Sequence, residues 1–406
     1  MPINYGVLDN KDLVQISDFD IGSGIPDNMS VKEINIVESL LSPSAQVLAV
    51  MQSDIYNPPG KNFDDFKNKD MSFTLELKGG SQKKMKVKMK TYRLDNRSFV
   101  QNNLSNVEEM VFHAIDETVL EDAKCLVSKS WKCTQPSKIV SSILEECLKA
   151  ENSVVDNADP ARDYIAENIH PFRVIAQQAE VALDGDDPSF LHFMTVDEEK
   201  GSGVHHFQSL KKLTKESPIQ VYQSEPTQKG TYKNKTAAIS FSFPCDFDYL
   251  SDLLNGLDEN GQNQNSMSTI DMVKKQFMKL MGGGEGSDSC DCGLGQYNYK
   301  VAQSNKTSAE QRNSCNLDVE THLLKRQARM ALLEKDKIAL RITVPWDPAL
   351  HAGKVIKFEW KNKYSDADVY GHGDYLIVSM MHTIRMGGYA VTTMDCVAKT
   401  VGEGEV

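Results

Sequence analysis

The 406-residue sequence is short of cysteine, of basic charge and of long apolar runs, and each shortage closes off a class of protein. Lys and Arg number 45 against 57 Asp and Glu, a formal net charge of −12, so the chain lacks the basic surface of a dedicated DNA- or RNA-binding protein. Mean hydropathy is negative, and no apolar run approaches the roughly 18 residues that would span a bilayer. The first residues, MPINYGVLDNKDLVQ, carry no charged-then-apolar signal segment, so export by that route is not expected. Eight cysteines are few for this length. Cys125, Cys133, Cys147, Cys245 and Cys396 are scattered through apolar patterns and read as buried thiols of a reducing compartment. Neither G-x-S-x-G nor G-x-x-x-x-G-K-[ST] occurs, which removes the two commonest signs of a serine hydrolase and a phosphate loop.

What remains is an ordinary folded composition, 40% hydrophobic and 25% charged, on a chain long enough for two to four packed units. Residues 1–30 are polar and broken by Gly22, Gly24 and Pro26, and read as a loosely docked arm. From Val31 the pattern is strand-like. Glu33–Ser39 alternates, with Ile34, Ile36 and a candidate third, Glu38, on one face. Phe73, Leu75 and Leu77 share another face. The plainest strand is Lys84–Lys90, with Met85, Val87 and Met89 to one side and four lysines to the other. The lysines serve either as a solvated face that blocks edge pairing or as a basic strip for an acidic partner. Residues 31–116 thus read as a small antiparallel barrel.

Helices are expected over Pro136–Ala150, with Ile139, Val140, Ile143, Leu144, Cys147 and Leu148 inward, and over Pro171–Leu183, with Phe172, Ile175, Ala176 and Ala179 inward. An acidic loop around Asp156, Asp159 and Asp163 lies between them, and FLHFMTV (190–196) with VHHFQSL (204–210) forms a hairpin. These make 117–216 an α+β unit. Strands return at Ile219–Gln223 and Ala237–Phe243. The composition then turns to Asn, Gln and Gly, and 255–315 reads as a flexible insertion around a Met-rich helix, Ser268–Met281. A long helix, Asp318–Glu334, leads to four final strands, Ile338–Val344, Val355–Trp360, Tyr375–Ile384 and Tyr389–Ala398. The last two are joined by a turn containing Gly387-Gly388.

Candidate chemistry is thin. Cys290, Cys292 and Cys315 offer three thiolates with His322 as a fourth ligand, but C-x-C is not the paired spacing of a zinc site; free thiols or a disulfide fit better. The adjacent His205 and His206 point to opposite faces of a strand and cannot chelate together. His372 and His382 lack helical pair spacing. No metal, cofactor or catalytic residue is assigned.

The order of segments carries more. His170-Pro171-Phe172 with its helix, FLHF, then Gly203-Val204-His205-His206-Phe207-Gln208-Ser209-Leu210 stand in one stretch. Val344-Pro345-Trp346-Asp347-Pro348-Ala349-Leu350-His351-Ala352-Gly353-Lys354-Val355-Ile356, then Gly371-His372-Gly373-Asp374-Tyr375, then His382, stand in another. This order resembles the baseplate hub protein of contractile-tailed bacteriophages, related to the N-terminal part of type VI secretion spike proteins, over roughly 31–250 and 335–400. The family-motif positions are structural: Phe172, His206, Phe207, Leu210, Trp346, Gly353, Gly371, Tyr375 and His382.

The resemblance implies a β-rich α+β chain with two small antiparallel, tail-tube-like barrels. The parts would be an arm (1–30), a first barrel (31–116), an α+β unit (117–216), a second barrel with its insertion (217–336) and a compact all-β C-terminal domain (337–406). It implies a homotrimer, a ring joining the sixfold tail tube to the threefold spike, in the tail baseplate of a virion made in the host cytoplasm. Its partners would be the central spike protein, the tube or tube-initiator protein, the surrounding wedge proteins and, as a further candidate, the tape measure protein. DNA would pass through the lumen without specific binding, helped by an acidic lining, and no membrane insertion is implied. The alternative is a tail-associated, cell-wall-degrading hydrolase with an acidic site that no motif reveals.

Overall fold

The computed structural model describes residues 13–22, 29–54, 66–78, 83–101, 106–185, 187–224, 235–244, 266–271, 276–281, 300–303, 326, 330, 333, 338–360, 371–385 and 387–399. Six strands come first: β1 (Val14–Ile21), β2 (Met29–Ser39), β3 (Gln46–Asp54), β4 (Asp70–Leu77), β5 (Lys84–Gln101) and β6 (Asn106–Ile115). They pair antiparallel in the order β1-β4-β5-β6-β3-β2. Their alternation works as read: Ile34, Ile36, Phe73, Leu75, Met85, Val87 and Met89 are buried in one core with Val47, Ala49, Met110 and Phe112. Residues 14–21 are not a loose arm. Val14 and Ile21 are buried, Phe19 stacks on Phe73 with ring centroids 5.6 Å apart, and the strand pairs with β4 through a bulge at Asp18, whose φ is +52°. The polar run Ser17-Asp18-Phe19-Asp20 hid this strand, because the bulge breaks its alternation.

The middle unit holds α1 (Glu117–Lys124), β7 (Val127–Thr134), α2 (Pro136–Glu146), β8 (Asn152–Val155), β9 (Arg162–Ile169), α3 (Pro171–Val181), β10 (Phe190–Val196), β11 (Gly203–Ser209) and α4 (Leu210–Lys215). Proline opens both α2 and α3, where a missing N–H is harmless. Ile139, Val140, Ile143 and Leu144 of α2 meet Val174, Ile175 and Ala179 of α3 over Phe190 and Phe207. The inward face of α3 is turned from the expected one, for Val174 and Gln178 are buried and Ala176 is exposed. The expected acidic loop is shorter than read. Part of it is β9, which forms an antiparallel ribbon with β7, and β8 adds in parallel to β11.

The last part contributes β12 (Val221–Gln223), β13 (Lys235–Ala237), β14 (Ser240–Ser242), β15 (Ser266–Asp271), β16 (Gln276–Met281), β17 (Lys300–Gln303), β18 (Leu340–Pro345), β19 (Val355–Glu359), β20 (Gly373–Arg385) and β21 (Ala390–Ala398). The expected Met-rich helix at 268–281 is replaced by a hairpin: β15 and β16 pair over six positions, and β17 joins β15 in parallel. Short apolar runs fit both periods, and here cross-strand pairing wins. Arg326 and Met330 are helical and Leu333 lies buried in a turn; the rest of Asp318–Glu334, and Cys290, Cys292, Cys315 and His322, lie outside the described residues. Cys125, Cys147 and Cys396 are free thiols, but Cys133 is exposed and disulfide-bonded, not a buried thiol.

Tyr222, Leu340, Ile342, Ile356, Phe358, Ile377, Met394 and Cys396 make a further core that draws on both sides of position 337. It is joined to the first core by one ladder. β2 pairs with β20 over seven positions, from Glu33↔Arg385 to Ser39↔Ser379, so the first six strands and the terminal strands form a single sheet. Its second link is a turn. β5 leaves β6 for β4 near Lys90, and the edge it exposes is covered by 197–201, where the amides of Lys86 and Lys88 donate to the carbonyls of Glu198 and Gly201 at 2.9 and 2.8 Å. Gly201 has φ +82°, and a Cβ there would lie 2.9 Å from the Lys88 nitrogen. Gly201→Ala should therefore cost about 1–3 kcal/mol and speed hydrogen exchange at the Lys86 and Lys88 amides. Unchanged protection at both would show that the turn does not hold this edge.

Candidate functional site: a buried carboxylate and the sheet face behind it

Glu38 follows Ile34 and Ile36 on the apolar side of β2, so its carboxylate is carried into the interior by the same alternation that buries them. It meets four donated contacts there. The amides of Val196 and Ala352 donate at 2.9 and 3.1 Å, and His351 Nδ1 donates to both oxygens at 3.1 and 3.3 Å. His351 Nε2 donates to Glu198 at 3.4 Å, so both ring nitrogens carry protons and the imidazole is cationic. Burial alone would raise the Glu38 carboxyl, but His351 and the Val196 amide hold it below its ordinary value. Burial likewise opposes the His351 cation, and Glu38 and Glu198 overcome it, pushing the ring up to about 10. The pair ties β2 to the end of β10 and to the turn before β19, three segments far apart in the chain.

Neutral imidazoles stand on the neighbouring strands, and two of them, His206 and His382, feel the Glu38 charge. His205 and His192 stack with centroids 5.3 Å apart, and Phe172 meets them at 5.9 and 5.4 Å. Thr118 donates to Asp116 at 2.6 Å, so His205 Nε2 must donate to Thr118 Oγ1 at 3.1 Å and accept from His192 at Nδ1, also at 3.1 Å. His206 turns to the other side of β11, as its adjacency to His205 requires. It stacks on Phe193 at 4.7 Å and contacts Thr195 and Gln208. His382 contacts Thr392 Oγ1 at 2.8 Å and lies 6.2 Å from Trp346. Burial pulls His205, His206 and His382 down to about 4 and holds His192 well below its usual range.

The other face of the same strands is half-exposed along β2, β3 and β6, although Leu376, Val391 and Val397 on β20 and β21 are buried there. Both joined cores lie on one side of the strip β14-β18-β21-β20-β2-β3-β6-β5. On the opposite side the charged residues stand in pairs, across strands or, for Arg93 and Asp95, along one. Arg385 binds Glu33 (2.8 Å) and Arg341 grips Asp395 with two bonds (2.6 and 2.9 Å). Lys32 binds Glu109 (2.5 Å), and Arg93 and His113 both reach Asp95 (2.7 and 2.9 Å). Thr343–Thr393 and Thr383–Asn35 contacts continue the rows. At the two ends of the strip, β14 pairs only with β18, and β5 beyond Thr91 has no second strand partner among the described residues.

Of the positions singled out in the sequence, Phe207 and Leu210 fill cores, and Tyr375 is buried with its hydroxyl on the Gly371 carbonyl at 2.9 Å. Gly371 and Gly353 have φ of +91° and +87°; a Cβ on Gly353 would sit 3.1 Å from the Phe193 ring, which carries His206. Gly353, His206, Trp346 and His382 thus gather around the Glu38 junction, Phe172 stands by the histidine stack, and Gly371 with Tyr375 is in the terminal core. Glu38 and His351 were missed as a pair. The signal was an acidic residue in phase with Ile34 and Ile36, which calls for a buried partner. Among the described residues no group of three or more His, Cys, Asp or Glu is arranged to hold a metal, and no helix is long and apolar enough to cross a membrane.

No protein-family model and no curated protein matches the chain. Solved structures do. The 43 kDa tail protein of prophage MuSo2 from Shewanella oneidensis aligns with a TM-score of 0.52 at 9% identity, covering 92% of this chain and 98% of that one. A tail protein from Neisseria meningitidis MC58 aligns with a TM-score of 0.50 at 10% identity, covering 96% of each. The fold is therefore that of phage tail proteins over nearly the whole chain.

The junction predicts an unusual pH profile. His351, raised to about 10 from an ordinary value near 6.5, contributes stability that is full below about pH 6.5 and lost as pH climbs through 10. His205, His206 and His382, lowered to about 4, contribute stability that is full above about pH 6.5 and lost as pH falls toward 4. Urea unfolding should show a maximum near neutrality. Glu38→Gln should lower stability by about 3–5 kcal/mol and flatten the alkaline limb, while the acid limb loses the share of Glu38 itself and keeps that of His205. An unchanged alkaline slope in this variant would contradict the assignment.

Proposed function

We propose that the chain is a structural subunit of a phage-tail baseplate hub, forming a trimeric ring that joins a sixfold tail tube to a threefold central spike and lets DNA pass. The observation that carries the reading is the eight-strand strip, backed by two cores and without a further strand partner at either end among the described residues. A strip with unpaired edges calls for another chain. Its two ends differ, so pairing β14 of one copy with β5 of the next would be head-to-tail, and such contacts close into rings when the rotation allows. With two tube-like units per chain, three copies offer six to the tube and three to the spike. The fold shared with tail proteins supports the same reading. The partition drawn from the sequence, 31–116, 117–216, 217–336 and 337–406, is our proposal for the chain's units.

In this account the ring is a conduit without catalysis, seated in the virion baseplate between tube and spike and braced by wedge proteins. Leu126, Val154 and Ile165, exposed on the α+β unit, suit contacts with such neighbours. Native mass measurement of the full chain, alone and with its spike protein, should give three copies. A stable monomer at micromolar concentration in the presence of the spike, or a ring of another chain number, would refute the reading.

A further inference from the structure

The ion pairs on the half-exposed face of the strip bear on what can travel along it. Four cations, Arg341, Arg385, Lys32 and Arg93, face four acids, Asp395, Glu33, Glu109 and Asp95, each in a direct pair. The arrangement is not symmetric in depth: the cations are 44–62% exposed and the acids 22–26%. Every acid lies beneath a cation that reaches further out. Among the described side chains the excess of acid is therefore not displayed on this face, in contrast to the acidic lining expected from a net charge of −12.

We propose that this face is a self-neutralised transit surface for duplex DNA, on which each outward arginine or lysine is held off the phosphates by an acid beneath it. The proposal rests on the ring reading for the direction in which the face points. Duplex DNA presents a charge about every 1.7 Å, and each phosphate that a free cation neutralises adds salt-dependent affinity. A wall of unpaired arginines would stop the cargo; an unrelieved acidic wall would resist its entry. Pairing avoids both. It also accounts for the bidentate geometry of Arg341 on Asp395, since a guanidinium with both donors engaged has fewer left for a phosphate. Lys84 and Lys86 lie off the strip, where β5 pairs with β4, in a hollow they share with Glu198, Glu199 and Asp347.

The test frees the cations without adding any. Glu33→Gln with Asp395→Asn removes the acid beneath Arg385 and the acid beneath Arg341, and a control removes both partners of each pair (Glu33→Gln, Arg385→Gln, Arg341→Gln, Asp395→Asn). Binding of a fluorescent 30-base-pair duplex to the full-length proteins is followed by anisotropy across salt concentrations. The double variant should bind about tenfold or more tighter than the wild type at low salt, with a salt slope steeper by about two per chain, and the control should return to the wild-type value. Asp95→Asn, far along the strip, should give a gain of the same kind by freeing Arg93, and serves if the double variant folds poorly. A double variant and an Asp95→Asn variant both within twofold of wild type would overturn the proposal, as would a control that binds as tightly as the double variant. Native mass of the same samples reports separately on the ring: trimers without a gain in binding sink the neutralisation alone, and a gain without trimers supports it while sinking the ring.

Discussion

A carboxylate cut off from water must find its donors inside the protein, and Glu38 finds them in two distant stretches of chain. Its amide partners come from Val196 and Ala352, and its counter-ion is His351, 313 positions away. Left with any of these missing, a buried charge of this kind is among the costliest faults a fold can carry. The consequence is geometric. β2 cannot settle until the β10–β11 hairpin and the turn at 347–353 have both arrived, and β2 is the strand that joins the two large cores through β20. The junction thus works as a register pin: a slip of one residue would turn Glu38 to the half-exposed face and Val37 inward.

That pin explains why the two sides of one sheet are so different. The inner side holds Ile34, Ile36, Met380, His382 and Ile384 against packed cores, with imidazoles kept neutral by burial. The outer side, one residue out of phase, holds Glu33, Asn35, Thr383 and Arg385 in cross-strand contact. The same register that buries the cores sets Glu33 opposite Arg385 and Asp395 opposite Arg341. In the hub proposed above, rigidity toward two symmetries and indifference to a polyanion would both fall on this single set of strand pairings.

The sequence was informative wherever the physics is local. Met85, Val87 and Met89 alternate with lysines, Pro136 and Pro171 open helices, and Gly387-Gly388 turns the last hairpin, each with φ near +90°. It misled where a local irregularity broke the period, as at Asp18 in β1, or where a short apolar run satisfied two periods, as at 268–281. The site was only half legible. Glu38 stood out by its phase and His351 lay in a quoted turn, yet nothing near either names the other. The charge ladder is less legible still, because Glu33 and Arg385 are matched only through a register set 352 positions apart.

The account's central claim is that the half-exposed face of the β14-to-β5 strip lines a closed ring. A three-dimensional reconstruction of the assembled particle by electron cryomicroscopy tests it most directly. We expect unbroken strand density passing from β14 of one copy to β5 of the next, with Arg341, Arg385 and Arg93 facing the channel and both cores behind them. A ring in which that face points outward, or in which copies meet through the α+β unit while the strip's edges stay unpaired, would contradict the account.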